Sequence, residues 1–247
     1  MCGDSKAKRN VAVLPPHASG VRGTHGNSLR VMRFNVNCFQ EIVMKLYYAP
    51  GACSLSPHIV ALEAGIPIEL EKVDLKAHKT ERGEDFNTVN PKGYVPALRL
   101  DDGSVLTEGP AIVQYLADQK PHAKLAPPNG TVERYRLMAW LTFIGTEIHK
   151  SFGPLFQGVS EDEKAKAKEK IAKRFAYVDK DLAGRDFLMG DTFGVADAYF
   201  FVMLTWAQKM GIDFASLANV SAFFARVSKR PAVQEALRSE GVQLKAA

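Results

Sequence analysis

MKLYYAPGACSLSPHIVALEAG, residues Met44–Gly65, reads as a strand, a turn, one cysteine and the opening of a helix. Lys45–Tyr48 is a short β-type run carrying aromatics, and Pro50 and Gly51 break it. Ser54, Ser56 and Pro57 are residue types that start helices, and Ile59, Val60 and Leu62 follow with helical spacing. Cys53 is therefore expected at or just before a helix N-terminus. Unpaired N–H groups and the helix dipole favour an anion there. A thiol so placed is expected to have its pKa lowered and to act as a nucleophile near neutrality. A buried structural cysteine is the alternative. The residue three positions on is Ser56, so a dithiol redox motif is absent and a disulfide with an external thiol is the more natural redox partner.

Working outward, the chain alternates strand and helix up to about residue 120. A second strand is expected at about 67–73, with Ile68, Leu70 and Val73 facing a core, and His78–Thr88 reads as a polar loop. Asn90-Pro91-Lys92-Gly93 marks a turn. Ala97–Leu100 and Ser104–Leu106 flank Asp101-Asp102-Gly103, a hairpin signal. Glu108–Gln119 carries Ile112, Val113 and Leu116 at helical spacing. This βαβ–ββα order is that of an α/β thioredoxin-like domain, here spanning 44–120. A Pro-rich linker follows over 121–130. From 131 to 247 only helical patterns remain, at roughly 131–151, 161–183, 194–210, 216–227 and 231–239, so the C-terminal domain is expected to be all-α.

The chain has 247 residues and a net charge of +5. Residues 1–43 hold six Lys/Arg and two acids, whereas the remainder holds 26 basic and 25 acidic residues. The basicity thus belongs to the leader, which argues against a nucleic-acid surface on the folded part. Rich in Gly, Asn and Pro and without periodicity, 1–43 reads as a disordered leader. It is compatible with a targeting peptide, a basic arm, or a segment that is not native structure, the real start being Met44; the last reading is preferred. The apolar run Ala198–Leu204 is too short to span a bilayer, so no membrane association is expected. Three cysteines without regular spacing give neither a disulfide framework nor a metal motif, which points to a reducing, cytoplasmic setting.

Further residues form a constellation with Cys53. Pro96, after a Gly-containing turn, is a candidate cis proline; the alternative is an ordinary trans edge proline. A cis bond there would leave the Val95 backbone free to pair with an extended peptide ligand. Glu108 and Gly109 open a helix whose N–H groups suit a carboxylate, while Glu108 suits an ammonium, so a zwitterionic amino-acid end would satisfy both; a plain helix-dipole acid is equally compatible. On a straight helix, Thr142, Thr146 and His149 fall within about a 60° arc opposite the apolar face, where they line a cleft or simply face water. A histidine there can hydrogen-bond a thiolate or donate a proton. Asp197, three residues after Gly194, is read as a structural cap. Trp140 and Trp206 are expected in the core or between domains.

Together these pieces resemble the glutathione S-transferases, and most closely their bacterial beta class. The resemblance runs from Met44 to about Leu244 and rests on YYAPGACSLSPHI (Tyr47–Ile59), NPKGYVPAL (Asn90–Leu98), LTEGPAIVQYLAD (Leu106–Asp118), GTEIHKSFGPLF (Gly145–Phe156) and FGVADAYFF (Phe193–Phe201). It implies a homodimeric detoxifying enzyme, with glutathione as co-substrate, no metal, and a hydrophobic electrophile bound between the domains. It further implies catalytic roles for Cys53 and His149 beside the glutathione sulfur, and backbone pairing of the tripeptide at Val95 next to Pro96. Glu108 and Gly109 would hold its γ-glutamyl end, with further contacts from Thr142 and Thr146. His78 stands where the family commonly has a Lys for the glycyl carboxylate, Thr142 where it has Asn, and Gly194 where it has a Ser or Thr cap. The expected activity is conjugation of the glutathione thiolate to electrophiles, with glutathione-dependent disulfide or peroxide reduction beside it. The rival readings are a non-catalytic ligand carrier or interaction module on this fold, and a specialised glutathione-dependent dehalogenase or isomerase.

Overall fold

A computed structural model of the protein describes residues 43–244. The expectation for the leader therefore lies, apart from Val43, outside the described residues. Five strands, β1 (Lys45–Tyr48), β2 (Glu69–Asp74), β3 (Lys79–Thr80), β4 (Ala97–Arg99) and β5 (Val105–Thr107), form one sheet in the order β3-β2-β1-β4-β5. β1 and β2 run parallel, with Leu46 opposite Leu70, whereas β4 is antiparallel to β1, with Leu46 opposite Leu98. The parallel pair requires a crossover, supplied by helix α1 (Leu55–Ala64). Helix α2 (Gly109–Gln119) follows the β4–β5 hairpin and packs against α1. This is the thioredoxin-like arrangement read from the sequence. The second strand begins two residues later than expected, and the supposed loop over 78–88 contains β3 and a short 3-10 turn at Phe86–Thr88.

The remaining helices are α3 (Val132–Phe143), a single turn α4 (Gly153–Phe156), α5 (Glu161–Asp181), α6 (Val195–Met210), α7 (Ala218–Ser228) and α8 (Pro231–Ser239). Helix α6 is buried from Val195 to Ala207 and lies against α1. An all-round apolar helix belongs at the centre of a core, and here one continuous apolar cluster runs from Leu46 and Ile59 through Phe201 to Leu237. Polar ties reinforce it. The buried Arg134 guanidinium of α3 donates to both carboxylate oxygens of Asp118 on α2, at 2.8 and 2.7 Å. Arg230 similarly grips Glu63 of α1 at 2.6 and 2.8 Å.

One expected helix is not continuous. In place of an uninterrupted helix over 131–151, α3 ends at Phe143, and Ile144–Ile148 form a π turn followed by a 3-10 turn at His149–Phe152. A π turn holds an extra residue within its hydrogen-bonded ring, so the side chains after it are rotated by roughly one residue, about 100°, from the straight-helix phase. No helix among the described residues is long and apolar enough to cross a membrane.

Candidate active site

The loop Ala49–Ser54 delivers Cys53 to the start of α1, beside the Val95–Pro96 peptide, which is cis. The Cys53 thiol donates to the Val95 carbonyl oxygen at 3.3 Å. The Val95 N–H has no partner among the described residues. Gly109, the first residue of α2, lies against this proline: a Cβ there would meet Pro96 Cγ at 3.7 Å.

The expected low thiol pKa is overturned. Burial pushes the Cys53 thiol up to about 12, against the backbone N–H groups of Cys53 and Ser54, which draw it down. The helix start that should have ionised it is already in use: the N–H groups of Leu55 and Ser56 donate to the carbonyls of Ala52 and Cys53, at 3.0 and 3.2 Å. With those donors consumed and Glu108 negative nearby, desolvation wins and the thiol stays protonated.

Glu108 is the N-cap residue of α2 and holds a left-handed backbone, φ 71°. Its carboxylate receives the Lys92 ammonium at 2.5 Å, which holds its pKa below the ordinary carboxylate value. An ammonium therefore already sits where the sequence suggested one could bind. His78, also left-handed at φ 52°, stacks its ring under Gly93, and its Nδ1 is buried without a partner among the described residues.

His149 is half-buried, unlike Thr142 and Thr146, which remain exposed. The uniform polar stripe is thus corrected by the intervening π turn, which takes the imidazole out of register and into the protein. Its Nδ1 lies 2.6 Å from the Tyr199 hydroxyl, and its ring meets the Trp206 ring edge-on at 4.9 Å. Burial, aided by the Lys150 charge and opposed by Glu108, lowers its pKa to about 4, so the ring is neutral at physiological pH. The Thr146 hydroxyl donates to the Thr142 carbonyl at 2.9 Å, and no hydrogen bond joins either threonine to the Cys53 cluster. Asp197 behaves as read: its two oxygens accept from the Leu188 and Gly194 N–H groups at 2.8 and 2.7 Å.

Two groups went unnoticed in the sequence. The first is Tyr199, whose hydroxyl meets His149 and whose ionisation is raised by burial. Its signal was a hydroxyl on an otherwise apolar helix, which needs a buried partner. The second is a clamp on the Gly51 peptide. The Gly51 N–H donates to Glu240 Oε2 at 2.9 Å, while its carbonyl accepts from Trp206 Nε1 at 2.8 Å. Sequence separations of 189 and 155 residues hid both contacts.

Known proteins resemble this chain over both its α/β and its helical parts. The profile described as glutathione S-transferase, N-terminal domain, matches residues 51–119, and that for the C-terminal domain matches 136–231. The chain is 44% identical over 201 residues to glutathione S-transferase GstA of Escherichia coli O157:H7, covering 81% of this chain and 100% of that protein. A sphingomonad glutathione S-transferase solved in complex with glutathione is 51% identical, with a TM-score of 0.78 over 81% of this chain and 100% of its own. The beta-class enzyme of Sphingomonas chungbukensis gives 49% identity and a TM-score of 0.78 over the same shares.

Proposed function

On the premise that this chain belongs to the glutathione S-transferase family and is a glutathione transferase with bacterial beta-class likeness, we propose how its residues bind and activate the tripeptide. The Val95 N–H and carbonyl, opened by the cis peptide, pair with the cysteinyl backbone of glutathione. Glu108 and the α2 N-terminus at Gly109 take the γ-glutamyl ammonium and carboxylate, with Lys92 yielding its place on Glu108. His78, whose buried Nδ1 lacks a partner among the described residues, faces the glycyl end. Thr142 and Thr146 border the exposed rim from the helical side.

The nucleophile is the glutathione sulfur. Supporting this is the state of Cys53: a neutral, half-buried thiol is not the anion, but once its S–H leaves the Val95 carbonyl it can donate to one. His149 supplies a second contact to the same sulfur. The tripeptide gives up its thiol proton, and the thiolate, held by donors, attacks an electrophile in the cleft. Disulfide or peroxide reduction through Cys53 is a secondary activity, and it requires the thiol to leave the Val95 carbonyl first. Steady-state assays test the division: Cys53→Ala should abolish glutathione-dependent disulfide reduction and retain part of the conjugation of an aryl halide. Equal loss of both activities would contradict these roles.

The enzyme is further proposed to be a cytoplasmic homodimer. Val132, Tyr135 and Met138 form an exposed apolar stripe on α3, 43–62% accessible, that a second copy would cover. Light scattering should find twice the chain mass, and a monomer at micromolar concentration would refute the dimer.

A further inference from the structure

We propose that Tyr199 is a positioning residue that fixes His149 as the tautomer protonated on Nε2, so that an N–H rather than a lone pair faces the glutathione sulfur. The inference rests on the reading of His149 as a partner of that sulfur, and adds which atom acts and what sets it.

The geometry leaves the hydroxyl little choice. Tyr199 is 3% accessible and sits on α6, the most rigidly buried helix. Its oxygen has one partner among the described residues, Nδ1 of His149 at 2.6 Å. A buried hydroxyl proton must find an acceptor, and the acceptor within reach is the Nδ1 lone pair. That lone pair exists in a neutral imidazole only when the proton is on Nε2. Were the proton on Nδ1, it would point at the phenol oxygen, and the phenol hydrogen would have no acceptor among the described residues. Two aromatic neighbours hem the ring in. Tyr199 meets it edge-on at 5.8 Å, Trp206 at 4.9 Å, and the π turn fixes its backbone.

The other nitrogen is the free one. Nε2 has no partner among the described residues and is not buried, so a ligand can reach it. The charged and titratable groups around the pair are Lys150, Glu108 and Cys53. Burial raises the Tyr199 ionisation and lowers that of His149, so the phenol keeps its hydrogen and the imidazole keeps a single one. The consequence is chemical. An Nε2–H can stabilise a thiolate but cannot accept the thiol proton, which leaves to solvent.

Nitrogen-15 NMR of the full protein labelled at histidine tests this. The six histidines are told apart by loss of the His149 signals in His149→Gln. The wild type should show a protonated Nε2 and an unprotonated Nδ1 before any ligand is added. Tyr199→Phe should give mixed tautomers, raise the pKa of bound glutathione, and lower kcat about two- to tenfold, the worth of one buried hydrogen bond, with little change in KM. Should that variant fold poorly, His149→Gln, whose amide can place an N–H near Nε2, should retain more of the glutathione ionisation shift than His149→Asn. A wild-type proton on Nδ1, or a Tyr199→Phe protein with unchanged tautomer and titration, would overturn the proposal. A correct tautomer in a protein that shows no glutathione binding would sink the functional reading instead and leave the tautomer assignment standing.

Discussion

Two titratable side chains, half-buried His149 and buried Asp197, pull the acid stability of this protein in opposite directions. The His149 pKa falls from 6.5 to about 4 on folding, so the unfolded chain binds more protons between those values. Stability from this residue is present above pH 6.5 and is lost as pH falls toward 4. Asp197 is the reverse case. Burial lifts its pKa from 3.8 to about 7, against the pull of the Leu188 and Gly194 N–H groups, so the folded state binds the extra proton and stability from this residue declines as pH rises through that window. Urea denaturation at a series of pH values separates them. His149→Gln should lose less stability than wild type between pH 7 and 4, and Asp197→Asn should lose more. Asp197→Asn should also be weaker at every pH by about 1–3 kcal/mol, because its amide cannot accept from both backbone N–H groups. Parallel pH profiles for all three proteins would refute the assignment. The residue types were legible in the sequence, and the cap role of Asp197 followed from its spacing to Gly194. The ionisation of Cys53 was not legible, because helix-start donors and desolvation compete. The competition was decided by the Ala52 and Cys53 carbonyls, which take the N–H groups of Leu55 and Ser56.

Periodicity located α1, α2 and α5 to α8 to within two or three residues, since apolar spacing is what buries one face, but it ran α3 eight residues too far and missed the single turn α4. It could not reveal the π turn at Ile144–Ile148: one additional residue inside a hydrogen-bonded ring leaves the pattern of buried Leu141, Ile144 and Ile148 almost undisturbed while re-aiming His149. The start of α6 carries a second local rule broken for a tertiary reason. Gly194 replaces the hydroxyl cap, and a Cβ at this position would lie 2.9 Å from the Leu125 carbonyl oxygen. That carbonyl accepts the Val195 N–H at 3.0 Å, so the linker satisfies one of the free N–H groups at the helix start, a different one from the N–H that a Ser or Thr cap would take. Gly194→Ala should therefore destabilise the protein by about 1–3 kcal/mol through overpacking, although alanine favours helices. A shift in the urea midpoint of Gly194→Ala checks this, and an unchanged or raised midpoint would contradict it.

Across the whole molecule, the candidate site residues come together because distant segments meet at one loop. Glu240, beyond α8, pairs with buried His58 of α1 at 2.9 Å and holds the Gly51 N–H, while Trp206 of α6 holds the Gly51 carbonyl and packs against His149. The thioredoxin-like layer thus contributes Cys53, Val95 and Glu108, and the helical layer fixes both the loop that carries Cys53 and the imidazole opposite it. Motif order exposed the architecture, because each piece of local chemistry sits on its own element. The clamp was invisible, because no local pattern records a contact between Gly51 and Glu240.

With the roles proposed, the ligand's sulfur, not the protein's, is the one that ionises at neutral pH. Ultraviolet difference titration of the thiolate band, in wild type and Cys53→Ser with and without glutathione, tests this directly. The ligand-free wild type should show no band near neutrality, and glutathione should introduce one, in both proteins, that titrates below the pKa of the free tripeptide. A neutral-pH band already present without ligand, and lost in Cys53→Ser, would contradict it.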